Sequence, residues 1–192
     1  MKEFLIIVQV FAYSLCHSQS LIPAEEKIKL AYEKLSADTS SKKLIQDYIF
    51  SFPSDTKTFL NVFQSSSFDQ LYTTSYIYLT ALKNCAEAFP AEVISKCVDI
   101  GKNLVWDADA VGDLQKISVS LAGSYPRDFI SKFNTLSITE QDSLITFYAD
   151  VENHRAYHIY QKLIDALTTI GEKNLADKFV KARDERIKRP DH

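Results

Sequence analysis

The chain has 192 residues, with 22 basic and 25 acidic side chains and a net charge of −3 at pH 7. That length suits one domain with a sizeable core, and that balance lends no support to nucleic-acid binding. Only 4 glycines and 5 prolines occur, whereas sheet-rich folds draw heavily on tight turns, so the composition predicts helices joined by short polar links.

Met1-Lys2-Glu3 opens the chain, and an apolar run from Phe4 to Leu15 follows, broken only by Gln9 and Ser14. The run is about 12 residues, against the roughly 20 that a helix needs to span a bilayer. It fits the h-region of a cleavable secretion signal over residues 1–20, with Ser18-Gln19-Ser20 as the cleavage zone. Lys2 and Glu3 would leave together, so the charge of the mature chain is unchanged. Cys16 raises a bacterial lipid anchor as an alternative. It is disfavoured by Leu15 and Tyr13, which stand where a lipobox takes a small and an aliphatic residue. None of Asn61, Asn84, Asn103, Asn134, Asn153 or Asn174 opens a glycosylation sequon. A bacterial periplasmic or secreted protein is the expectation. The most apolar later stretch, Tyr76 to Leu82, is closed by Lys83 and Glu87, so no integral membrane segment is expected in the mature chain.

Helical spacing then recurs almost without interruption. Ile28, Ala31, Tyr32 and Leu35 fall at i, i+3, i+4 and i+7, one apolar face. Ser40 or Ser41 caps a second helix with Leu44, Ile45, Tyr48, Ile49 and Phe52, which Pro53 ends. A short third carries Phe59, Leu60 and Phe63. Ser67 and Gln70 form a capping-box pattern opening what reads as the longest helix, through Leu71, Leu79 and Leu82 to Ala86. Apolar nearly all round, it is expected to be the central element. Pro90 suits the first turn of the next helix, with Val93, Cys97, Ile100, Gly101 and Leu104 inside. Asp107 or Asp109 caps Val111, Leu114, Ser118 and Leu121, and Pro126 restarts a short helix with Phe129, Ile130 and Phe133. Ser137 and Glu140 make a second capping box, opening Leu144, Ile145, Phe147, Tyr148 and Val151. Tyr157, Tyr160, Leu163, Ile164 and Leu167 follow, with Gly171 at the helix end. Leu175, Phe179 and Ala182 make the last element. Its cluster Lys181, Arg183, Arg186, Lys188 and Arg189 reads as a solvated helix end. The expected fold is all-α, one domain over residues 21–192, a bundle or array of about nine antiparallel helices.

Four groups of residues carry chemistry worth weighing. Cys85 and Cys97 flank the Phe89-Pro90 break, and in an oxidising compartment they are expected to form a disulfide worth roughly 3 kcal/mol. Glu152, His154 and His158 form the most reactive-looking stretch, because histidines four apart share a helix face and could bind a transition metal. Arg155 stands where a zincin has its glutamate, so the zincin motif is not met. Asp107, Asp109 and Asp113 match a calcium loop loosely, but Val111 and Ser118 occupy positions that need oxygen ligands, and helix capping by Asp109 explains the same residues more simply. Ser95-Lys96 and Ser131-Lys132 are adjacent pairs, not the three-apart arrangement of a Ser/Lys dyad. Tyr72, Tyr76, Tyr148, Tyr157 and Tyr160 offer large faces with polar tips, suited to the rim of a groove. The function read from these residues is non-enzymatic and needs no cofactor: an exported module that binds another envelope or extracellular protein, or a peptide, through an aromatic helical surface. The alternative is a metal-binding protein or metal-dependent hydrolase built on Glu152, His154 and His158.

The stretches Phe52-Pro53-Ser54-Asp55-Thr56-Lys57-Thr58-Phe59, Leu71-Tyr72 with Tyr76-Ile77, and Trp106-Asp107-Ala108-Asp109-Ala110-Val111-Gly112 resemble segments of a group of uncharacterised exported helical proteins from Gram-negative bacteria. The resemblance covers residues 45–170. It implies export and an all-helical fold, and it implies no activity and no site residues.

Overall fold

The computed structural model describes residues 22–63, 70–107, 109–150 and 157–188. The signal segment, the Ser67 capping position, and Glu152 and His154 lie outside the described residues. Among those described, the chain is an array of eleven helices with no strand. They are α1 (Ala24–Ala37), α2 (Lys42–Ser51), α3 (Thr56–Phe63), α4 (Gln70–Thr73), α5 (Ser75–Cys85), α6 (Pro90–Gly101), α7 (Ala110–Ser124), α8 (Pro126–Phe133), α9 (Ile138–Ala149), α10 (Tyr157–Thr169) and α11 (Lys173–Ile187). None is long and apolar enough to cross a membrane.

Local chemistry sets most of the boundaries. Ser41 accepts the Leu44 amide at the start of α2. Phe52 then ends that helix in an extended conformation, as a residue before proline prefers. Asp55 caps α3, accepting the Thr58 amide and hydroxyl at 2.8 Å each. Pro90 and Pro126 occupy the first turns of α6 and α8. Ser137 and Glu140 complete a reciprocal capping box at α9, and Gly171 takes a φ of +92° between α10 and α11, a conformation without steric penalty only for glycine.

The expected long helix through Leu71 is instead two. It breaks at Thr74 into a four-residue turn and the 11-residue α5. Thr73, Thr74 and Ser75 carry hydroxyls that compete with the backbone for hydrogen bonds and favour helix ends over interiors. The central element is α7, 15 residues long, which packs against α5, α6, α8, α9 and α10. Small residues make this possible. At Gly123 a β-carbon would lie 3.3 Å from the backbone nitrogen of Leu163, so α7 and α10 approach almost backbone to backbone.

Helices α1, α2, α3 and α5 gather on one side of α6 and α7, and α8 to α11 on the other. Each side has its own aromatic cluster. Tyr32 meets Tyr78 edge-on at 5.1 Å between centroids, and Phe52 stacks on Phe63 at 5.6 Å. Across the molecule, Phe129 stacks on Tyr148 at 6.1 Å and Tyr160 meets Phe179 at 5.7 Å. Two of the buried phenols are satisfied by main chain: Tyr48 donates to the Tyr78 carbonyl at 2.7 Å and Tyr160 to that of Phe179 at 2.9 Å. Burial holds both phenols well above the usual tyrosine range, so they act as neutral donors.

Candidate functional site

A groove of about 650 Å³ lies between α1, the start of α2, and α5, within the range typical of ligand sites. Its floor is apolar: Leu35, Ile45 and Cys85 are buried. Tyr32 forms one wall and Tyr76 and Ile77 the other, while Ser36, Thr39, Thr80 and Asn84 ring the mouth. Tyr76 is 59% exposed, so its ring face is free to be covered. The helical spacing explains the lining. On α5, residues 76, 77, 80, 81 and 84 recur at three- and four-residue steps along one face. Because Glu33 and Tyr32 lie beside the half-buried Tyr78 phenol, which burial already pushes upward, this side of α1 faces α5.

Electrostatically the groove is quiet. Burial pushes the Cys85 thiol up to about 11, so at neutral pH the group is a thiol and not the thiolate that nucleophilic chemistry requires. Glu87 is the one carboxylate among the described lining residues. No nucleophile–base pair occurs among them, and what the arrangement offers is contact: aromatic faces, an apolar floor, and neutral donors and acceptors at the mouth.

The residues singled out from sequence are distributed widely. Of the five tyrosines, Tyr76 lines the groove, Tyr148 and Tyr160 are core residues, and Tyr72 donates to the Asp109 carboxylate, which raises its phenol above the ordinary range. Asp109 sits at the N-cap position of α7 with φ +58°, yet its side chain makes no capping hydrogen bond. It is turned to Tyr72 instead, so the expected capping role is corrected. Asp113 pairs with Lys116 within α7.

Cys85 and Cys97 are two separate buried free thiols, not within disulfide distance, contrary to the expected bridge. Cys85 lines the groove, where Tyr48 lies near it. Cys97 points into the core beside Ser118 and Tyr148. Sequence closeness across a turn does not bring two β-carbons to bonding geometry when the side chains face different neighbours. The Ser118 hydroxyl lies near Cys97 and Tyr148 but meets neither with good hydrogen-bond geometry.

The adjacent Ser95 and Lys96 diverge. Ser95 donates to Asp99 at 3.4 Å, while Lys96 donates to the Phe52 carbonyl at 2.8 Å and ties α6 to the end of α2. Burial lowers the Lys96 ammonium from its usual range, with Asp99 opposing. Lys132 pairs with Asp99 at 2.8 Å. His158 is exposed at the second position of α10. Its proposed co-ligands Glu152 and His154 lie outside the described residues, and no cluster of three metal-ligating side chains occurs among those described.

Sequence reasoning missed two buried polar links. Gln115 on α7 donates through Nε2 to the Phe147 carbonyl at 2.5 Å and to the Asp150 carbonyl at 2.9 Å, satisfying groups that a helix C-terminus leaves without partners. Arg186, expected at a solvated helix end, is 8% exposed and paired with Asp150. Comparison with family models, with curated proteins and with solved structures finds no match to this chain.

Proposed function

We propose that this chain is an exported binding protein that holds a segment of another envelope or extracellular protein, or a peptide, in the groove between α1, α2 and α5. The observation that carries the reading is the groove itself. It combines about 650 Å³ of space with a buried apolar floor, two tyrosine walls and a hydroxyl- and amide-lined mouth. An apolar side chain seated on Leu35 and Ile45 would gain roughly 1.5–3 kcal/mol from burial. Ser36, Thr39, Thr80 and Asn84 could meet the polar backbone that such a segment brings, which would otherwise be desolvated without partners. Two or three anchors of this kind contribute about 3–9 kcal/mol, against which association and ordering costs are set, so backbone hydrogen bonds at the mouth are needed to reach micromolar affinity.

The test is selection from a displayed peptide library, with the Thr80→Trp chain as counter-selection. Thr80 is exposed, so an indole there fills the groove without entering the core. Peptides enriched on the wild type should bind it at micromolar Kd, lose about tenfold on Tyr76→Ala, and fail to bind Thr80→Trp. Binding to Thr80→Trp at wild-type strength, or the absence of any enrichment, overturns the proposal. Export is tested separately by the N-terminal sequence of the protein recovered from periplasm or medium. It should begin within the Ser18–Ser20 cleavage zone or directly after it.

A further inference from the structure

On the opposite side of α1 lies a second concave surface. Lys27, Leu30 and Lys34 of α1 face Leu44, Asp47 and Phe50 of α2 across a furrow of about 390 Å³. Phe50 is 76% exposed and Leu30 41%. Single exposed apolar residues are ordinary. Here, however, the two line one furrow, and they fall within helical stripes: Lys27, Leu30, Ala31 and Lys34 on one helix, Asp47, Phe50 and Ser51 on the other. That spacing is the one by which helices present a face to a neighbour.

We propose that this furrow docks an acidic amphipathic helix of a partner protein. The charge pattern selects the sign. Lys43 holds Asp47 at 2.5 Å, which leaves Lys27 and Lys34 to set the field along the rim, while Glu33 lies on the far side of α1 beside Tyr78. A cationic rim around an apolar seat is matched by a helix with an apolar stripe flanked by carboxylates. Shape argues for a helix rather than a bilayer. A furrow between two helices accepts one ridge, whereas a flat lipid surface laid over it would leave its apolar floor unfilled. The surface is independent of the α1–α5 groove, so either can fail without the other.

The experiment uses the full chain and two synthetic helix-forming peptides of about 18 residues, long enough to hold helix in water. Both carry leucine and phenylalanine at i, i+3, i+4 and i+7; one is flanked by glutamates, the other by lysines. Fluorescence anisotropy should show the glutamate-flanked peptide binding at least about tenfold more tightly, with affinity falling as salt rises. Lys27→Glu combined with Lys34→Glu should reverse the preference. Phe50→Ser should weaken the glutamate-flanked peptide about tenfold, while Thr80→Trp should leave it unchanged. All replaced side chains are exposed, and unchanged circular dichroism confirms that each variant folds. An unreversed preference, or wild-type binding by Phe50→Ser, overturns the proposal. So does Phe50-dependent capture of phosphatidylserine vesicles, or Phe50-dependent self-association, since either gives the furrow a different occupant.

Discussion

Arg186 Nε meets Asp150 Oδ1 at 2.5 Å, and the pair fastens α11 to the C-terminal cap of α9. The two partners are unequally placed: the arginine side chain is 9% exposed and the aspartate side chain 25%. Removing one member of a buried pair is costly chiefly through the charge left behind. Asp150→Ala takes the partner from a guanidinium whose side chain is only 9% exposed and should destabilise by about 3 kcal/mol. Arg186→Met leaves a carboxylate that can turn to solvent and keeps the apolar stem of the side chain, so about 1–2 kcal/mol is expected. Urea unfolding of the two variants checks the order; equal losses would mean that the guanidinium is solvated.

Gly123 poses a question of sign. An exposed helical glycine replaced by alanine usually gains about 0.5–1 kcal/mol. The added methyl here would lie 3.3 Å and 3.4 Å from Leu163 backbone atoms, which cannot rotate away. Gly123→Ala should therefore force α7 and α10 apart and lose about 1–3 kcal/mol. Gly171→Ala meets nothing within 4 Å and should lose about 1–2 kcal/mol through its positive φ alone. Thermal unfolding separates the cases when Gly123→Ala is combined with Leu163→Ala. Trimming the Leu163 side chain should not relieve a clash with backbone.

The features legible in the sequence were those whose cause lies within a few residues. Ser137 with Glu140, Pro90, Pro126 and Gly171 each act on the turn they sit in, and each stands where the spacing put it. The helices themselves followed from apolar periodicity. What the sequence concealed depends on which helix faces which. The pattern of α5 looked more central than that of α7, because aromatic residues counted as core there. In the fold Tyr76 looks outward, whereas the small residues of α7 admit five neighbours. Gln115 and Arg186 look like surface residues until α9 is placed beside them. The same blindness produced the disulfide between Cys85 and Cys97, and it left Tyr148 and Tyr160 among the groove candidates although both are core. Of the groove's lining, the sequence shows Tyr76 alone as a candidate; Tyr32 and Leu35 belong to the inner stripe of α1 by spacing, and only the fold places α5 beside them.

The two thiols should be inert in the native protein. Burial pushes both Cys85 and Cys97 up to about 11, so at pH 8 only roughly one part in a thousand is thiolate. Alkylation with iodoacetamide, mapped peptide by peptide, should label neither residue in the folded chain within minutes and both after denaturation. Recovery of a Cys85–Cys97 linked peptide under non-reducing digestion would show that the two helices can slide into bonding register. Rapid native labelling of Cys85 alone would mean that the groove floor opens.

Glu140 links acid stability to the α6–α9 contact. Lys102 donates to it at 2.9 Å, and the Ser137 amide and hydroxyl add their own hydrogen bonds. Together they lower the carboxyl from 4.5 to about 2. A depressed carboxyl stabilises the fold in full above its unfolded value, and that contribution is lost as pH falls through its folded value. The window is therefore between about 4.5 and 2. Glu140→Gln keeps the shape but not the charge, so it should be less stable than wild type at pH 7. The gap should narrow steadily as pH is lowered through that window. Urea midpoints taken at half-unit pH steps provide the check. A gap that stays constant from pH 5 downward would show that Lys102 and Ser137 hold the side chain through its geometry and not through its charge.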